Sequence, residues 1–466
     1  MKIGLVGPSY QQVSLPFDAQ RTINLIPIAD QQGKEVSSLL GTPGLSAFGT
    51  AGTGPTRGAF ASANGRAFFV SGANLYEIDS GGSTTNRGTL LGSSGNVSIA
   101  ENTTDLVVCD GTTLYRLVYS TNLFEEITDV SLPDAGTVTS LDGYIIVNEV
   151  DTGNFYISGL DDASTWSALD FANAESSPDN LVRVIAAIGQ LWLLGEQSNE
   201  IWTNTGASAF PFELISGAKN DYGIIAPHTA VEIDNSLLWV GRDKAGSGRV
   251  YKTTGYTPQR ISTEAIEIII QAASSKAEMR SYTYEKHGHV YYVITGGGLE
   301  TSLVYDLTTG LWHERAFLEA NGSFSQHLAA DVIFAFDKHL AGDRRNGSIY
   351  ELSLDNYSDA GSDIARERIY THLSDEDKRI RYNKLDIGVE TGVGLQTGDY
   401  TDPLLSLQLS KDGARTWSDW YTTPVGKVGE YLTKVTFRRL GIAEQMTFKI
   451  RYTAQTKFAV TGSYIQ

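Results

Sequence analysis

The stretch Ser410-Lys-Asp-Gly-Ala-Arg-Thr-Trp417 carries the residue types of an Asp box, S-x-D-x-G-x-T-W. In such a turn the aspartate and serine bond backbone groups while the tryptophan packs beneath. The match is imperfect: Gly413 falls one place early, and Ala414 stands at the usual glycine. A structural role is therefore expected for Asp412 and Trp417. A second chemical pattern is His287-Gly-His289, two residues apart on one expected strand, so both imidazoles face the same side. Chelation together with His313 is conceivable, but no cysteine or carboxylate stands at a familiar ligand spacing, and surface histidines are the expectation.

Other patterns have a bland reading as well. Retaining glycoside hydrolysis needs two carboxylates, or a tyrosine nucleophile with a supporting acid, and a sialidase adds several arginines around the substrate carboxylate. Arg57, Arg183, Arg242 and Arg280 supply the residue type, but they read as unrelated points of their repeats, and the acidic run at 160–162 reads as a solvated turn. The glycine-rich stretches 295–302 and 241–251 lack GxxxxGK[ST] spacing and read as hairpin turns. The basic spots at 377–384 and 437–441 read as solvated faces or salt-bridge partners, with contact to an acidic neighbouring subunit or glancing contact with phosphates as the functional reading. No catalytic, cofactor-binding or metal-binding residue is assigned, and no cofactor is expected.

These residues need a scaffold, and the composition describes one. The chain has 466 residues, a net charge of −18, 48 glycines and 12 prolines. Abundant glycine between short apolar runs implies many tight turns. The acidic balance argues against a basic surface that grips nucleic acid, though not against one that a polyanion passes without sticking. Cys109 is the single cysteine, which excludes an intrachain disulfide and favours synthesis in a reducing compartment. The opening residues lack a signal-peptide apolar region, so export by a signal is not expected. No apolar run approaches the ~20 residues of a membrane helix.

From residue 57 onward a two-part phrase recurs. Its second part is a strand-like run around an aromatic: Tyr76, Tyr115, Tyr156, Trp202, Tyr251, Tyr305 and Tyr350. An apolar run precedes each, as in "RAFFVSG", "TDLVVCDG" and "QLWLLGE"; the seventh, "DKHLAGDRRNG", is weak. Two runs joined by Gly, Asp or Asn turns are hairpins, and hairpins repeated at such spacing mark a β-propeller, whose blades bury their faces only by stacking. The count is seven blades, or six if the weak unit is a connection. The segment 262–282 has helical pattern, with Ser262 or Thr263 as N-cap and acidic residues in the first turn. It reads as an insertion between repeats. Residues 356–382 are charged and read as a linker, and the alternating runs of 383–466 read as a small β-sandwich. The fold expected is all-β: an N-terminal arm (1–56), a six- or seven-bladed propeller (57–355), a linker (356–382) and a C-terminal β-sandwich (383–466).

Several stretches together resemble the packaged-DNA stabilisation, or tail hub (nozzle), family of short-tailed bacteriophages. They are "QRTINLIPI" (20–28) followed by "TPGL" (42–45), the block 158–207, "ISTEAIEIII" (261–270), and the C-terminal "SKDGARTWSDW" and "RRLG". Their order spans nearly the whole chain. The resemblance implies a structural virion protein and not an enzyme. It implies a homo-hexameric ring that extends the DNA ejection channel below the portal and head-to-tail adaptor and helps retain packaged DNA. The implied partners are the adaptor, a tail plug or needle, spike or fibre proteins, and double-stranded DNA passing without sequence-specific binding. No integral membrane segment is expected, and the implied location is the phage tail, assembled in the bacterial host cytoplasm. The alternative reading is a sialidase-like propeller glycosidase or a glycan-binding module acting at the host surface.

Overall fold

The computed structural model describes every residue except 1, 5, 17, 30–36, 175–176, 243–247 and 376–377. Among the described residues, successive antiparallel sheets form seven blades: 56–89, 98–126, 135–173, 181–220, 223–260, 279–318 and 329–353. Each apolar run of the repeated phrase is the second strand of a blade, and each recurring aromatic lies on the third. Second strands such as Ala67–Ser71 and Asp105–Cys109 are buried along their whole length. Sheets stacked on both faces require this continuous burial.

The cores lie between blades. Phe68 and Val70 of blade 1 pack with Leu106 and Val108 of blade 2. Val107 and Cys109, on the other face of that strand, pack with Ile145 and Val147 of blade 3. The sequence of shared cores returns to its start, where Leu340 and Ile349 of blade 7 meet Ala67 and Phe69 of blade 1. The first strands are also stitched to one another. Val184 N–H donates to Thr137 Oγ1 at 3.1 Å, Ser281 N–H to the His228 carbonyl at 2.9 Å, and Ala59 N–H to Asp331 Oδ2 at 3.1 Å. The last bond joins blade 7 to blade 1 and closes the ring.

Blade 7 has only three strands of its own, Ala329–Ala335, Lys338–Asp343 and Ser348–Ser353. Its fourth is Gly44–Thr50, which pairs antiparallel with Ser348–Ser353. The N-terminal segment thereby latches the ring. The turn before the third strand is tight: a Cβ on Gly347 would lie 2.2 Å from the Gly52 carbonyl oxygen and 2.5 Å from that of Ala51.

The rest of the N-terminal segment is woven into the C-terminal domain. Leu25–Ala29 and Ser37–Gly41 extend one sandwich sheet, next to Ala459–Ile465, Ile380–Val389 and Val435–Ala443. Ala19–Ile23 joins the outer strand of blade 6, Leu311–Leu318, to Arg366–Ile369 of the other sandwich sheet. Blade 6 and half of the sandwich are therefore one continuous twelve-stranded sheet. Ile3, Leu25 and Leu39 are buried in the sandwich core beside Phe448 and Tyr452.

Two local expectations differ from the structure. The helix is shorter than 262–282: it runs Glu264–Ala272, a 3-10 turn covers Lys276–Glu278, and Met279 already begins the first strand of blade 6. Thr263 occupies the N-cap without a side-chain cap bond, while the Ser262 hydroxyl donates to Glu267 Oε1 at 2.7 Å. Ile266 and Ile270 dock into the core between blades 5 and 6, which explains the helical periodicity. Residues 356–382 are also not simply a charged connection. They contain the strands Ser358–Asp359, Ser362–Asp363, Arg366–Ile369 and Leu373–Ser374, and Arg366 and Arg368 are fully buried. Arg368 donates to Thr22 Oγ1 at 2.8 Å and Gln20 Oε1 at 2.6 Å, so the charge of this stretch clamps the N-terminal segment.

Candidate functional site

The chemistry-bearing patterns are mostly consumed by the scaffold. In the Asp box, Asp412 Oδ1 accepts from the backbone of Arg415 and Thr416 at 3.1 and 3.0 Å and from the Ser410 hydroxyl at 2.7 Å. Thr416 Oγ1 donates to Asp412 Oδ2 at 2.6 Å. The bonds from Thr416, first through its hydroxyl and then its N–H, hold the carboxyl well below the usual range. Ala414 takes a positive φ of 65° in place of the usual glycine, and Lys449 Nζ sits 4.0 Å over the Trp417 ring. The expected structural role of Asp412 and Trp417 is what this geometry supplies.

The histidines do not converge on an ion. His287 is in the turn with φ 51°, whereas His289 pairs with Asp306 at 2.7 Å. His313 is fully buried, with the Tyr291 ring in contact with both His289 and His313. Burial pushes the His313 imidazole down to about 4, so it is neutral in the core. No group of three or more His, Cys, Asp or Glu able to hold a metal occurs among the described residues. The glycine-rich stretch 295–302 is a hairpin turn with positive φ at Gly296, Gly297 and Gly298. Part of the stretch 241–251 lies outside the described residues.

The arginines are placed differently from their sequence reading. Arg57, Arg183 and Arg280 all lie on first strands, those of blades 1, 4 and 6, and Arg242 alone is peripheral, paired with Glu196 at 3.1 Å. Repeats of unequal length hid this equivalence. Arg57 donates through Nε and Nη1 to the carbonyls of Gly95, Gly72 and Gly92 at 2.7, 3.0 and 2.7 Å, while its Nη2 is buried without a partner. Arg183 and Arg280 line a cavity of about 150 Å³ on the propeller axis, shared with His228, Ser98, Ser281 and Asp331. Arg280 donates to Asp331 Oδ2 at 2.8 Å and to the Thr56 carbonyl at 3.0 Å. Among the described residues, Asp331 is the one carboxylate lining the cavity, and no tyrosine lines it. A pair of acids, or a tyrosine with an acid, is therefore not assembled there.

Residue 377 of the first basic spot lies outside the described residues; the strand part of that spot, from Ile380, pairs with the second spot, 437–441, with Lys384 opposite Arg438. Val435–Ala443 is an edge strand, and Arg438 and Arg439 on it are exposed. Lys384 is answered by Asp386 at 2.5 Å and Arg379 by Glu444 at 3.8 Å, as a salt-bridged face would be.

The seam between propeller and sandwich carries the most constrained polar group. Glu314 of blade 6 is 2 % exposed. It accepts from Arg21 Nε and Nη2 at 3.0 and 2.7 Å, from Ser9 Oγ at 2.9 Å and from Thr301 Oγ1 at 2.7 Å. Burial alone would raise its pKa; the charge and hydrogen bonds of Arg21, then the two hydroxyls, outweigh this and hold it below the ordinary value. Asn24, also fully buried, donates to the carbonyls of Ala316 and Ala365 at 2.8 and 3.0 Å and accepts from Ala316 N–H at 2.9 Å. One side chain thus ties the propeller to the sandwich. No sequence signal marked Glu314 or Asn24, because their partners lie about 300 positions away in the chain.

Two family models match the sequence. One, described as "Bacteriophage P22 Gp10, beta-propeller", covers residues 1–357, and the other, "Bacteriophage P22 Gp10, beta-sandwich", covers 365–466. No curated protein matches the sequence. Among solved structures, the extracellular domain of the putative one component system BT4673 from B. thetaiotaomicron is similar at 10% identity and TM-score 0.45. That match covers 79% of this chain and 44% of the other, so this chain spans less than half of that structure's length. YCF48 bound to D1 peptide is similar at 12% identity and TM-score 0.38, over 67% of this chain and 97% of the other. The N-terminal domain of Nup159 is similar at 9% identity and TM-score 0.41, over 72% and 98%.

Proposed function

Because the chain belongs to the bacteriophage P22 Gp10 family, the tail hub or nozzle proteins of short-tailed phages, we propose that it forms the tail nozzle ring of such a phage. The proposed ring is a homo-hexamer below the portal and adaptor. It extends the DNA ejection channel and helps retain packaged DNA until infection. Its partners are the head-to-tail adaptor, a plug or needle, spike or fibre proteins, and the double-stranded DNA that passes through. Its place is the virion tail, assembled in the host cytoplasm.

One observation carries this reading beyond family membership: the propeller and the sandwich are a single interlocked body. A channel wall that bears DNA under pressure must not hinge between its domains. Domains joined only by a linker move relative to one another by default. Here a shared sheet, a latched seventh blade and the buried Arg21–Glu314 pair replace that linker. The net charge of −18 suits a protein that DNA slides past. A catalytic role is not proposed, since the axial cavity has a single carboxylate already paired with Arg280.

The test is assembly. The purified chain mixed with the phage's adaptor should shift in size to a ring-containing complex, and a chain that stays monomeric beside the adaptor would refute the proposal. Turnover of a fluorogenic sialoside by the same preparation would favour the glycosidase alternative.

A further inference from the structure

Among the described residues, one guanidinium at the propeller axis has no carboxylate partner. Arg183, on the first strand of blade 4, directs its side chain into the axial cavity, where its Nε and Nη1 atoms are buried and unbonded. The other cations near the axis have more hydrogen-bond partners, although Arg57 Nη2 is unbonded. Arg280 has Asp331, Arg57 has three carbonyls, and Arg344 bonds Thr295 Oγ1 at 3.1 Å and Gln326 Oε1. Among the described residues, the one group that favours the charged form of Arg183 is the Cys109 thiol, and burial pushes that thiol up to about 12, so it is neutral. Asp331 does not serve Arg183. Its Oδ2 accepts from Arg280 and Ala59 N–H, and its Oδ1 accepts from Val332 N–H at 2.9 Å.

Arg183 is half-buried, and its two buried nitrogens lose hydration without gaining a hydrogen-bond partner, a cost that a bound anion would offset. Guanidinium forks match tetrahedral oxyanions geometrically. The cavity adds further donors: the Arg280 guanidinium, the Ser98 and Ser281 hydroxyls, and His228. His228 is held neutral, first by burial and then by Arg183 and Arg280, so it offers one ring N–H without adding charge. About 150 Å³ is too small for a peptide segment or a glycan and suits a small ion.

We propose that the axial cavity is an oxyanion site of the phosphate class, in which Arg183 and Arg280 hold the ion among the first strands of the blades. The cavity is lined by residues from blades 1, 2, 4, 5, 6 and 7, so a bound ion braces the ring from its centre. This site is separate from the ring-forming role and does not depend on it.

The experiment is calorimetric titration of the full chain with inorganic phosphate, against chloride at matched ionic strength, together with thermal melting. Saturable binding of one phosphate per chain and a rise in Tm are expected. In Arg183→Met, affinity should fall roughly tenfold or more, the scale of losing a charge-assisted bond. Arg439→Gln, on the exposed edge strand, should bind as the native chain does. No saturable binding by the native chain, or equal binding by Arg183→Met, overturns the proposal. Should Arg183→Met not fold, a structure of the native chain soaked with tungstate decides. Heavy-atom density between Arg183 and Arg280 supports the site, and density only elsewhere, or an adventitious ion only, overturns it. Failure of ring assembly would leave all these readouts untouched.

Discussion

Arg21 and Glu314 are 293 positions apart in sequence and form a bidentate ion pair at 2.7–3.1 Å, with Glu314 almost wholly buried. The pair sits where the N-terminal segment enters the sheet that blade 6 shares with the sandwich. Removing one partner of a buried pair leaves an uncompensated charge, which costs about 3–5 kcal/mol. Arg21 keeps 20% of its side chain exposed, so the low end applies. Arg21→Ala is predicted to destabilise the chain by about 3 kcal/mol in urea unfolding. The native chain should lose propeller and sandwich signals in one transition. Two well-separated transitions would show that the domains are not one body.

The same carboxylate predicts acid sensitivity. The folded pKa of Glu314 lies below its ordinary 4.5, so its contribution to stability is complete above pH 4.5. That contribution is lost as pH falls through the lowered folded value. Stability measured from pH 6 downward should therefore decline in that acid window, and Glu314→Gln should flatten that part of the profile. An unchanged profile in Glu314→Gln would contradict the assignment.

The latch can be tested at its tightest point. A methyl group at Gly347 meets two backbone carbonyls at 2.2 and 2.5 Å, which cannot rotate away as a side chain would. Gly347→Ala is predicted to cost about 1–3 kcal/mol, as overpacking does. Hydrogen exchange should locate the loosening at Gly44–Thr50 and Ser348–Ser353, the strands that close blade 7. Deleting residues 1–50 removes the closing strand altogether and should prevent formation of a stable ring of blades.

Cys109 reports on the closed ring directly. It lies between blades 2 and 3, wholly buried, with its thiol pushed up to about 12 by that burial. A thiol reagent at pH 8 should not react with the native chain and should modify one cysteine after unfolding. Prompt labelling of the native protein would mean that blades 2 and 3 part readily.

What could be read from the sequence follows from burial. Second and third strands were legible because both of their faces are covered: a run such as Ala67–Ser71 is buried at every residue. Outer strands gave little signal because residues such as those of Thr84–Thr89 are largely solvated. Blade 7 was faint because its second strand carries Lys338, His339 and Gly342. Gly342 is required there, since a Cβ would meet Thr56 Oγ1 at 2.3 Å. Its fourth strand comes from 44–50, and no local pattern reports a pairing across about 300 residues. The charged composition of 356–382 is misleading for a related reason: Arg366 and Arg368 are both buried, Arg368 bonding Thr22 and Gln20 of the N-terminal segment and Arg366 the Ala454 carbonyl of the sandwich. The axial arginines went unrecognised because their equivalence exists only once the blades are stacked.

As proposed, rigid propeller–sandwich subunits of this chain build a ring around a DNA path. Electron microscopy of the purified chain with its adaptor tests this most directly. Closed six-fold rings are expected, each subunit showing a seven-bladed disc fixed to its sandwich at one angle, around an open central channel. Scattered single particles with the disc and sandwich at varying angles, unchanged by adaptor, would contradict it.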